Sequence, residues 1–307
     1  METMIAIVNR RSGSPGVLKV KEVKKPNPKN NEVLIKIHTT TVTAGDVIMR
    51  RKFLLFLLFW FISLTMLGPR NPRRKILGHE FAGTIEAVGK DVKLFKIGDQ
   101  VFGSTGLIGG AYAEYICLKE KSTLTTKPSN MNFEESATVP VGGLTALHFL
   151  RKSNIQEGQQ ILIYGASGSV GTFATQLAKS FGGIVTAVCS TSNIDLVKSL
   201  GADKVIDYTK EDFTDNAEVY DVIFDAVGKI SSSSSKGSIK ENGAYVTVKA
   251  MGGEKVEELI YLKEQIEAGK IKSVVDRIFP LEQIVDAHEY VDKGRKKGNV
   301  VITVIEN

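Results

Sequence analysis

The sequence Tyr164-Gly165-Ala166-Ser167-Gly168-Ser169-Val170-Gly171 lies between a short apolar run and a segment with helical periodicity. Such a turn joins the first strand and first helix of nucleotide-binding domains, where one glycine permits a sharp bend and another lets a phosphate approach the backbone. The third glycine lets the helix pack closely on the strand. Because helix N-termini favour anions, the pattern predicts a dinucleotide-binding turn.

Apolar runs alternate with helical patterns around this turn. Strands are predicted over residues 160–164, 184–189, 204–207, 220–225 and 244–248. Helices are predicted over residues 143–152, 170–181, 193–200 and 255–268. Strand–helix alternation is typical of a parallel sheet that is covered by helices.

The end of the second predicted strand bears on the choice of dinucleotide. NAD-binding domains usually carry Asp or Glu there, about 20 residues after the glycine turn, to hold the ribose 2′-hydroxyl. This strand instead ends in Val188-Cys189-Ser190-Thr191-Ser192-Asn193, which contains no acid. Hydroxyl and amide groups can accept a 2′-phosphate, so the sequence favours NADPH, with NADH as the alternative.

The first 125 residues have a different pattern, with short alternating segments between glycines. Strands are predicted there over residues 32–38, 80–89, 99–103 and 111–118. Short strands at close spacing predict a small barrel or sandwich. After residue 270 the pattern is strand, helix and strand, over residues 274–279, 281–291 and 299–305.

Composition and charge exclude several classes of protein. The chain of 307 residues is 42% hydrophobic and 24% charged, which argues against a disordered chain and a multi-span membrane protein. Its formal net charge of +6 comes from residues 50–75, which hold seven cations and no acid, whereas the remainder has 33 basic and 34 acidic residues. No helix–turn–helix or RNP motif accompanies these cations, so nucleic-acid binding is not expected.

Cysteine content and the N-terminus bear on the compartment. The chain has only two cysteines, Cys117 and Cys189, which is typical of a protein in a reducing cytosol. The N-terminal sequence lacks an apolar region of signal-peptide length. A cytoplasmic location is therefore predicted.

Ten consecutive apolar residues run from Phe53 to Ile62. A helix that crosses a bilayer needs about 20 such residues, so this run is too short to do so. Three interpretations remain open: a buried helix or loop, a hydrophobic lid over a ligand pocket, and a helix that lies on a membrane surface.

Several further motifs accompany the glycine turn along nearly the whole chain. They are Asn31–Ile37 (NEVLIKI), Gly78–Gly83 (GHEFAG), Gly98–Val101 (GDQV), Gly143–Ala146 (GLTA), Gly201–Asp203 (GAD) and Asp207–Tyr208 (DY). With these motifs the sequence resembles the medium-chain dehydrogenase/reductase superfamily. Within that superfamily it is most similar to the zinc-free, zeta-crystallin-like quinone oxidoreductase branch.

The resemblance implies an α/β fold with a GroES-like β-rich catalytic domain and a Rossmann domain built on a doubly wound parallel sheet. The expected limits are residues 1–126 and 270–307 for the catalytic domain and 127–269 for the NAD(P)-binding domain. The implied activity is NADPH-dependent hydride transfer to a small apolar quinone or α,β-unsaturated carbonyl. Two alternatives stay open, namely a zinc-free NAD(P)-dependent alcohol or aldehyde oxidoreductase and a non-catalytic or membrane-peripheral family member.

The resemblance also points to cofactor contacts. The predicted cofactor-binding residues are Thr145, Gly165, Ser167, Gly168, Val170, Gly171, Ser190, Thr191, Tyr208, Ala226 and Val227. Ser190 and Tyr208 match positions on the adenosine phosphate side of the cofactor. Ala226 and Val227 match positions along the nicotinamide ribose, and Thr145 matches a position beside the nicotinamide.

The residues that bind zinc in zinc-dependent relatives are incomplete here. Those relatives use a Cys, the His of a Gly-His-Glu motif and a second Cys, and Thr43 and Val141 occupy the two Cys positions in this chain. Only His79 remains, and one imidazole does not make a zinc site. Asp46 matches the residue that would orient this His. We therefore expect no metal, with Thr43, Asp46 and His79 as the candidate catalytic residues.

The sequence departs from the family after Val248. Relatives continue there through a helix, a sixth Rossmann strand and a segment that often pairs across a dimer, whereas this chain runs almost directly into the helix predicted from Lys255. We therefore expect a sheet that is shortened after its fifth strand. Formation of a homodimer stays open, because the usual dimer segment is missing.

The cationic, aromatic insert of residues 50–75 follows Thr43 and Asp46 closely in sequence. In the family layout such an insert borders the substrate cleft. Phe53, Phe56 and Trp60 are therefore predicted to shield an apolar substrate from water.

Overall fold

The structure, a computed structural model, describes residues 2–9, 11–51, 76–215, 217–250 and 253–305. The predicted substrate-shielding residues Phe53, Phe56 and Trp60 lie outside the described residues. The chain divides into two compact units. The first unit contains residues 1–127, 131–140 and 275–307, and the second contains residues 128–130 and 141–274.

The described residues form 14 strands and seven α-helices. The strands are β1 (Thr3–Asn9), β2 (Leu18–Lys24), β3 (Glu32–Thr41), β4 (Glu80–Val88), β5 (Gln100–Ser104), β6 (Tyr115–Lys119), β7 (Leu124–Thr126), β8 (Gln160–Tyr164), β9 (Ile184–Cys189), β10 (Lys204–Asp207), β11 (Tyr220–Asp225), β12 (Ile239–Thr247), β13 (Val275–Pro280) and β14 (Asn299–Thr303). The helices are α1 (Ala44–Arg51), α2 (Phe133–Ala137), α3 (Val139–Lys152), α4 (Ser169–Ser180), α5 (Ile194–Ser199), α6 (Val256–Glu267) and α7 (Ile284–Asp292).

The first unit is built around a seven-stranded sheet in the order β13-β14-β3-β4-β5-β7, with β6 also paired to β3. All pairings are antiparallel except that of β13 with β14. Val33, Ile35 and Ile37 alternate along β3 and are fully buried in one core cluster. This alternation is the one that predicts a strand with one face in the core.

The second unit contains a sheet of five parallel strands in the order β10-β9-β8-β11-β12. Numbered from β8, this order is 3-2-1-4-5, which is the order of a Rossmann sheet up to its fifth strand. In the described part of the chain no sixth strand extends the sheet, and α6 is the next regular element after β12. The expected shortening is thus confirmed.

No helix within the described ranges is both long enough and apolar enough to cross a bilayer.

A buried histidine lies on α7 in the first unit. His288 is fully buried, and its Nε2 lies 3.2 Å from the Tyr112 hydroxyl. Its Nδ1 is buried and makes no hydrogen bond with any described residue. Burial lowers the pKa of His288 to about 4, which outweighs the opposite effect of the Asp46 charge. The imidazole is therefore neutral in the folded protein at neutral pH.

We expect His288 to make stability depend on pH. Because its pKa is lower in the folded state than the ordinary value of 6.5, the unfolded chain takes up a proton first as the pH falls. Stability is therefore lost between pH 6.5 and 4. The free energy of unfolding should fall by about 2 kcal/mol between about pH 7.5 and 5 through this residue.

Urea unfolding of wild type and His288→Gln at the two pH values measures this effect. The variant is expected to be less stable at neutral pH, because it loses packing around Tyr112, but its stability should depend less on pH. An identical pH dependence in both proteins would contradict the assignment of a buried neutral imidazole.

Candidate cofactor site and catalytic residues

The glycine turn connects β8 to α4 in the second unit. Gly165 has a φ of +79°, a conformation that L side chains rarely adopt. The backbone amides of Gly165 and Ala166 both donate to the carbonyl of Val188 at 3.0 Å. These two bonds fix the turn against the end of β9.

The first turn of α4 lies close to this bend. A Cβ on Gly171 would stand 2.2 Å from the Gly165 carbonyl oxygen, so only glycine fits there. A Cβ on Gly168 would meet nothing closer than that oxygen at 3.5 Å. Gly168 is the N-cap of α4 and provides no side chain to bond the first amides of the helix. Those amides have no acceptor within the helix, which makes its N-terminus suited to a phosphate.

Asn193 connects the glycine turn to the loop after β9, a role that the sequence analysis did not assign. Its Nδ2 donates to the hydroxyls of Ser167 at 3.0 Å and Ser190 at 3.2 Å. Its Oδ1 is buried and has no hydrogen-bond partner in the part of the chain that the structure describes. A buried acceptor without a donor fits a hydroxyl group of a ligand, such as that of a ribose.

An acidic residue also lies beside this loop, although none ends β9. The Thr191 hydroxyl donates to the Asp207 carboxylate at 2.5 Å, because Asp207 ends the neighbouring strand β10. Hydrogen bonds from Thr191 and Thr209 lower the pKa of Asp207 to about 2. Thr191 can therefore accept a hydrogen bond from a ligand, since its own hydroxyl hydrogen is donated to Asp207. This contact joins the ends of two neighbouring strands, so the sequence at the end of β9 does not predict it.

A cavity of about 380 Å³ opens at the carboxyl ends of β8, β9 and β10. Tyr208 lines it and is 54% exposed. The other lining residues are Tyr164, Val188, Thr209, Lys210, Glu211, Asp212, Phe213, Asp215 and Ile230. In doubly wound folds, ligands bind at this edge of the sheet.

The remaining predicted cofactor residues lie after β11 and on α3. Ala226 and Val227 directly follow β11, and the Val227 side chain stands 2.5 Å from the position that a Cβ on Gly165 would take. Thr145 is half-buried on α3. With the open helix N-terminus and the unpaired Asn193 oxygen, the residues at this edge of the sheet fit a dinucleotide.

The three candidate catalytic residues meet in the first unit around the carboxylate of Asp46, which is fully buried near the start of α1. Its Oδ1 lies 2.7 Å from His79 Nδ1 and accepts from the Gly78 amide at 3.0 Å. Its Oδ2 accepts from the Thr43 amide at 2.8 Å and from the Thr43 hydroxyl at 2.6 Å. The expected Asp46–His79 pair is therefore present.

The electrostatics of the pair favour an ionised Asp46. Burial alone would raise its pKa, but the charge and hydrogen bond of His79 and the hydrogen bond of Thr43 lower it to about 2. An ionised Asp46 accepts a hydrogen bond from Nδ1, so His79 keeps a hydrogen on that nitrogen. His79 Nε2 lies 3.0 Å from the Met49 sulfur. The Thr43 hydroxyl donates to Asp46 Oδ2 and accepts from the Asp46 amide at 3.1 Å, so it caps the start of α1 and its hydrogen is already used within the protein.

Among the described residues, no three His, Cys, Asp or Glu side chains are grouped so that they could hold a metal ion.

Comparison with known families assigns both halves of the chain. Residues 29–129 match the alcohol dehydrogenase GroES-like domain family. Residues 169–275 and 249–302 match two families that are described as zinc-binding dehydrogenases. The GroES-like match therefore precedes the two dehydrogenase matches along the chain.

Individual relatives match over nearly the whole chain. The 2-methylene-furan-3-one reductase of Solanum lycopersicum is 35% identical over 94% of this chain and 76% of its own. The chloroplast envelope quinone oxidoreductase homolog of Arabidopsis thaliana is 31% identical over 96% of both chains. The solved quinone oxidoreductase of Coxiella burnetii superposes with a TM-score of 0.87 at 29% identity, over 99% of this chain and 100% of its own.

The fold and the glycine turn define a two-part dehydrogenase or reductase. The chain belongs to the medium-chain dehydrogenase/reductase superfamily, in its zeta-crystallin-like quinone oxidoreductase branch.

Two substitutions in the glycine turn should separate folding from binding. Gly171→Ala places a methyl group against the backbone of Gly165, so we expect a loss of stability of roughly 1–3 kcal/mol, as for other overpacked sites. Gly168→Ala fits in the free protein but narrows the approach to the helix N-terminus. We expect it to leave the melting temperature nearly unchanged and to weaken binding of a dinucleotide phosphate about tenfold or more.

Thermal unfolding and fluorescence titration with NADPH measure the two effects on the same preparations. If Gly168→Ala bound NADPH as tightly as wild type, the N-terminus of α4 would not be the phosphate site.

Proposed function

We propose that this protein is an NADPH-dependent oxidoreductase that transfers a hydride to a quinone or an α,β-unsaturated carbonyl without a zinc ion. The observation that carries the proposal is the glycine turn, whose close packing leaves the N-terminus of α4 open at the carboxyl edge of a parallel sheet. The names of the relatives support the substrate class, since one is an NADPH-dependent alkenal/one oxidoreductase of Arabidopsis thaliana, 33% identical over 94% of this chain.

The choice between NADPH and NADH depends on the loop after β9. Ser190 provides a hydroxyl for a 2′-phosphate, and no acid ends β9 itself. The Thr191 hydroxyl donates its hydrogen bond to Asp207, so its oxygen can accept a hydrogen bond from the 2′-hydroxyl of an unphosphorylated ribose. Ser190 and the NADPH-dependent relative support NADPH as the proposed cofactor, whereas Thr191 supports NADH as the alternative.

NADPH, when bound, supplies the hydride that reduces the conjugated substrate. Conjugation spreads the resulting charge over several atoms, so a quinone or enone needs less polarisation by the protein than an isolated carbonyl does. In the first unit Asp46 holds hydrogen on His79 Nδ1 and fixes the orientation of the ring. His79 Nε2, which lies 3.0 Å from the Met49 sulfur, is then the ring nitrogen from which a protonated His79 would donate a proton to the reduced substrate.

The proposed absence of zinc rests on the donors in the first unit. Thr43 occupies a position where zinc-dependent relatives have a Cys, and its hydroxyl and amide both donate hydrogen bonds to Asp46. An alcohol hydroxyl that already donates to a carboxylate is a poor replacement for a thiolate. His79 would thus be a lone protein ligand from the predicted set.

The proposed partner is a small apolar carbonyl or quinone substrate. Assembly as a homodimer stays open, and a cytoplasmic location remains a prediction. Four of the relatives carry the description chloroplastic or chloroplast in their names.

A panel of acceptors tests the proposal. Oxidation of NADPH and of NADH is followed with quinones, alkenals, enones and saturated aldehydes as acceptors. We expect turnover with quinones or enones, a higher kcat/KM with NADPH than with NADH, and little turnover with saturated aldehydes.

Enzyme treated with a chelator is the control, and it should keep its activity. Turnover of saturated aldehydes alone would favour an alcohol or aldehyde oxidoreductase. Loss of activity with the chelator, restored by zinc, would contradict the zinc-free mechanism.

A further inference from the structure

The loop after β11, residues 226–230, surrounds one buried carboxylate. Asp225, the last residue of β11, is fully buried. Its Oδ1 accepts from the amides of Val227 and Lys229, each at 3.2 Å. Its Oδ2 accepts from the amide of Ile230 at 3.2 Å. Three amides of a five-residue loop thus point at one side chain.

The neighbouring strand β12 places two hydroxyl groups beside the Asp225 carboxylate. The Thr247 hydroxyl donates to Asp225 Oδ2 at 3.3 Å. The Tyr245 hydroxyl donates to the Ile230 carbonyl at 2.9 Å and lies 3.3 Å from the same Oδ2. The loop is therefore held at its middle by Asp225 and at its end by β12.

The loop in turn packs against the glycine turn. Val227 Cγ1 and Cγ2 stand 2.5 and 2.9 Å from the point that a Cβ on Gly165 would occupy. Val227 thus takes the space that the missing side chain of Gly165 leaves free. Any shift of the loop would move Val227 relative to the bend that leads into α4.

We propose that Asp225 is a positioning residue for the nicotinamide half of the cofactor, an inference that rests on the proposed function. The carboxylate fixes Ala226 and Val227 against the glycine turn, and these two residues are the ones predicted to follow the nicotinamide ribose. Both of its oxygens are used as acceptors. An amide at this position would have only one acceptor and would turn its NH₂ group toward other donors.

The test compares two ligands of Asp225→Asn. We expect the Kd of NADPH to rise about tenfold or more, because the nicotinamide half loses its preformed loop. The Kd of 2′,5′-ADP, which contains only the adenosine half, should stay within about twofold of wild type. A general loss of structure would weaken both ligands alike, so the ratio of the two constants separates positioning from unfolding.

Asp221→Asn is the matched control on the same strand. Asp221 lies in β11 near its other end, where Oδ2 accepts from the Gln160 amide at 2.7 Å and from Lys240 Nζ at 2.8 Å. This variant should leave both dissociation constants unchanged. If Asp225→Asn does not fold, Thr247→Val removes one donor to the same carboxylate and should weaken NADPH binding in the same selective way.

Isothermal titration calorimetry of wild type and each variant measures the Kd of NADPH and of 2′,5′-ADP. Selective weakening of NADPH by Asp225→Asn, or by Thr247→Val, supports the proposal. Equal binding of NADPH by wild type and the folded variant, or an equal loss of both ligands, would overturn it. If wild type itself failed to bind NADPH, the proposed function would fail instead.

Discussion

The second unit depends on the close contact between the backbone of Gly171 and the carbonyl of Gly165. Because there is no room for a Cβ at residue 171, α4 can begin directly beside the bend that follows β8. This contact directs the first amides of α4 along the carboxyl edge of the sheet. The ends of β9, β10 and β11 lie at the same edge because all these strands are parallel. Residues that are far apart in the sequence therefore meet around one glycine turn.

Three carboxylates hold the loops of the two candidate sites in place. Asp225 binds the amides of the loop after β11, Asp207 accepts from Thr191 after β9, and Asp46 accepts from Thr43, Gly78 and His79. A carboxylate removed from water is costly unless several donors surround it. Each loop is therefore restricted to a conformation that provides those donors, so the same groups that bond the buried carboxylates also fix the positions of the candidate site residues.

Much of the second unit could be predicted because its strands are continuous apolar runs between glycines and polar segments. The predicted limits of β8 to β11 agree with the structure. Strand β12 begins at Ile239, whereas the prediction began at residue 244 because residues 240–242 are polar and do not resemble a buried strand. Helix α1 was not predicted, since its start depends on the bonds between Thr43 and Asp46 and on the contact of Asp46 with His79. The contacts of Asp207 and Asp225 depend on strand order and register, which no local pattern encodes. The apolar run that includes Phe53 lies outside the described residues, so its role remains a prediction.

Hydrogen exchange with and without NADPH tests most directly the claim that the carboxyl edge of the parallel sheet is the cofactor site. We expect NADPH to slow amide exchange in residues 165–171 and 226–230, while the β1–β2 ribbon of the first unit exchanges as in the free protein. Protection that avoided the glycine turn, or that spread evenly over both units, would contradict the account.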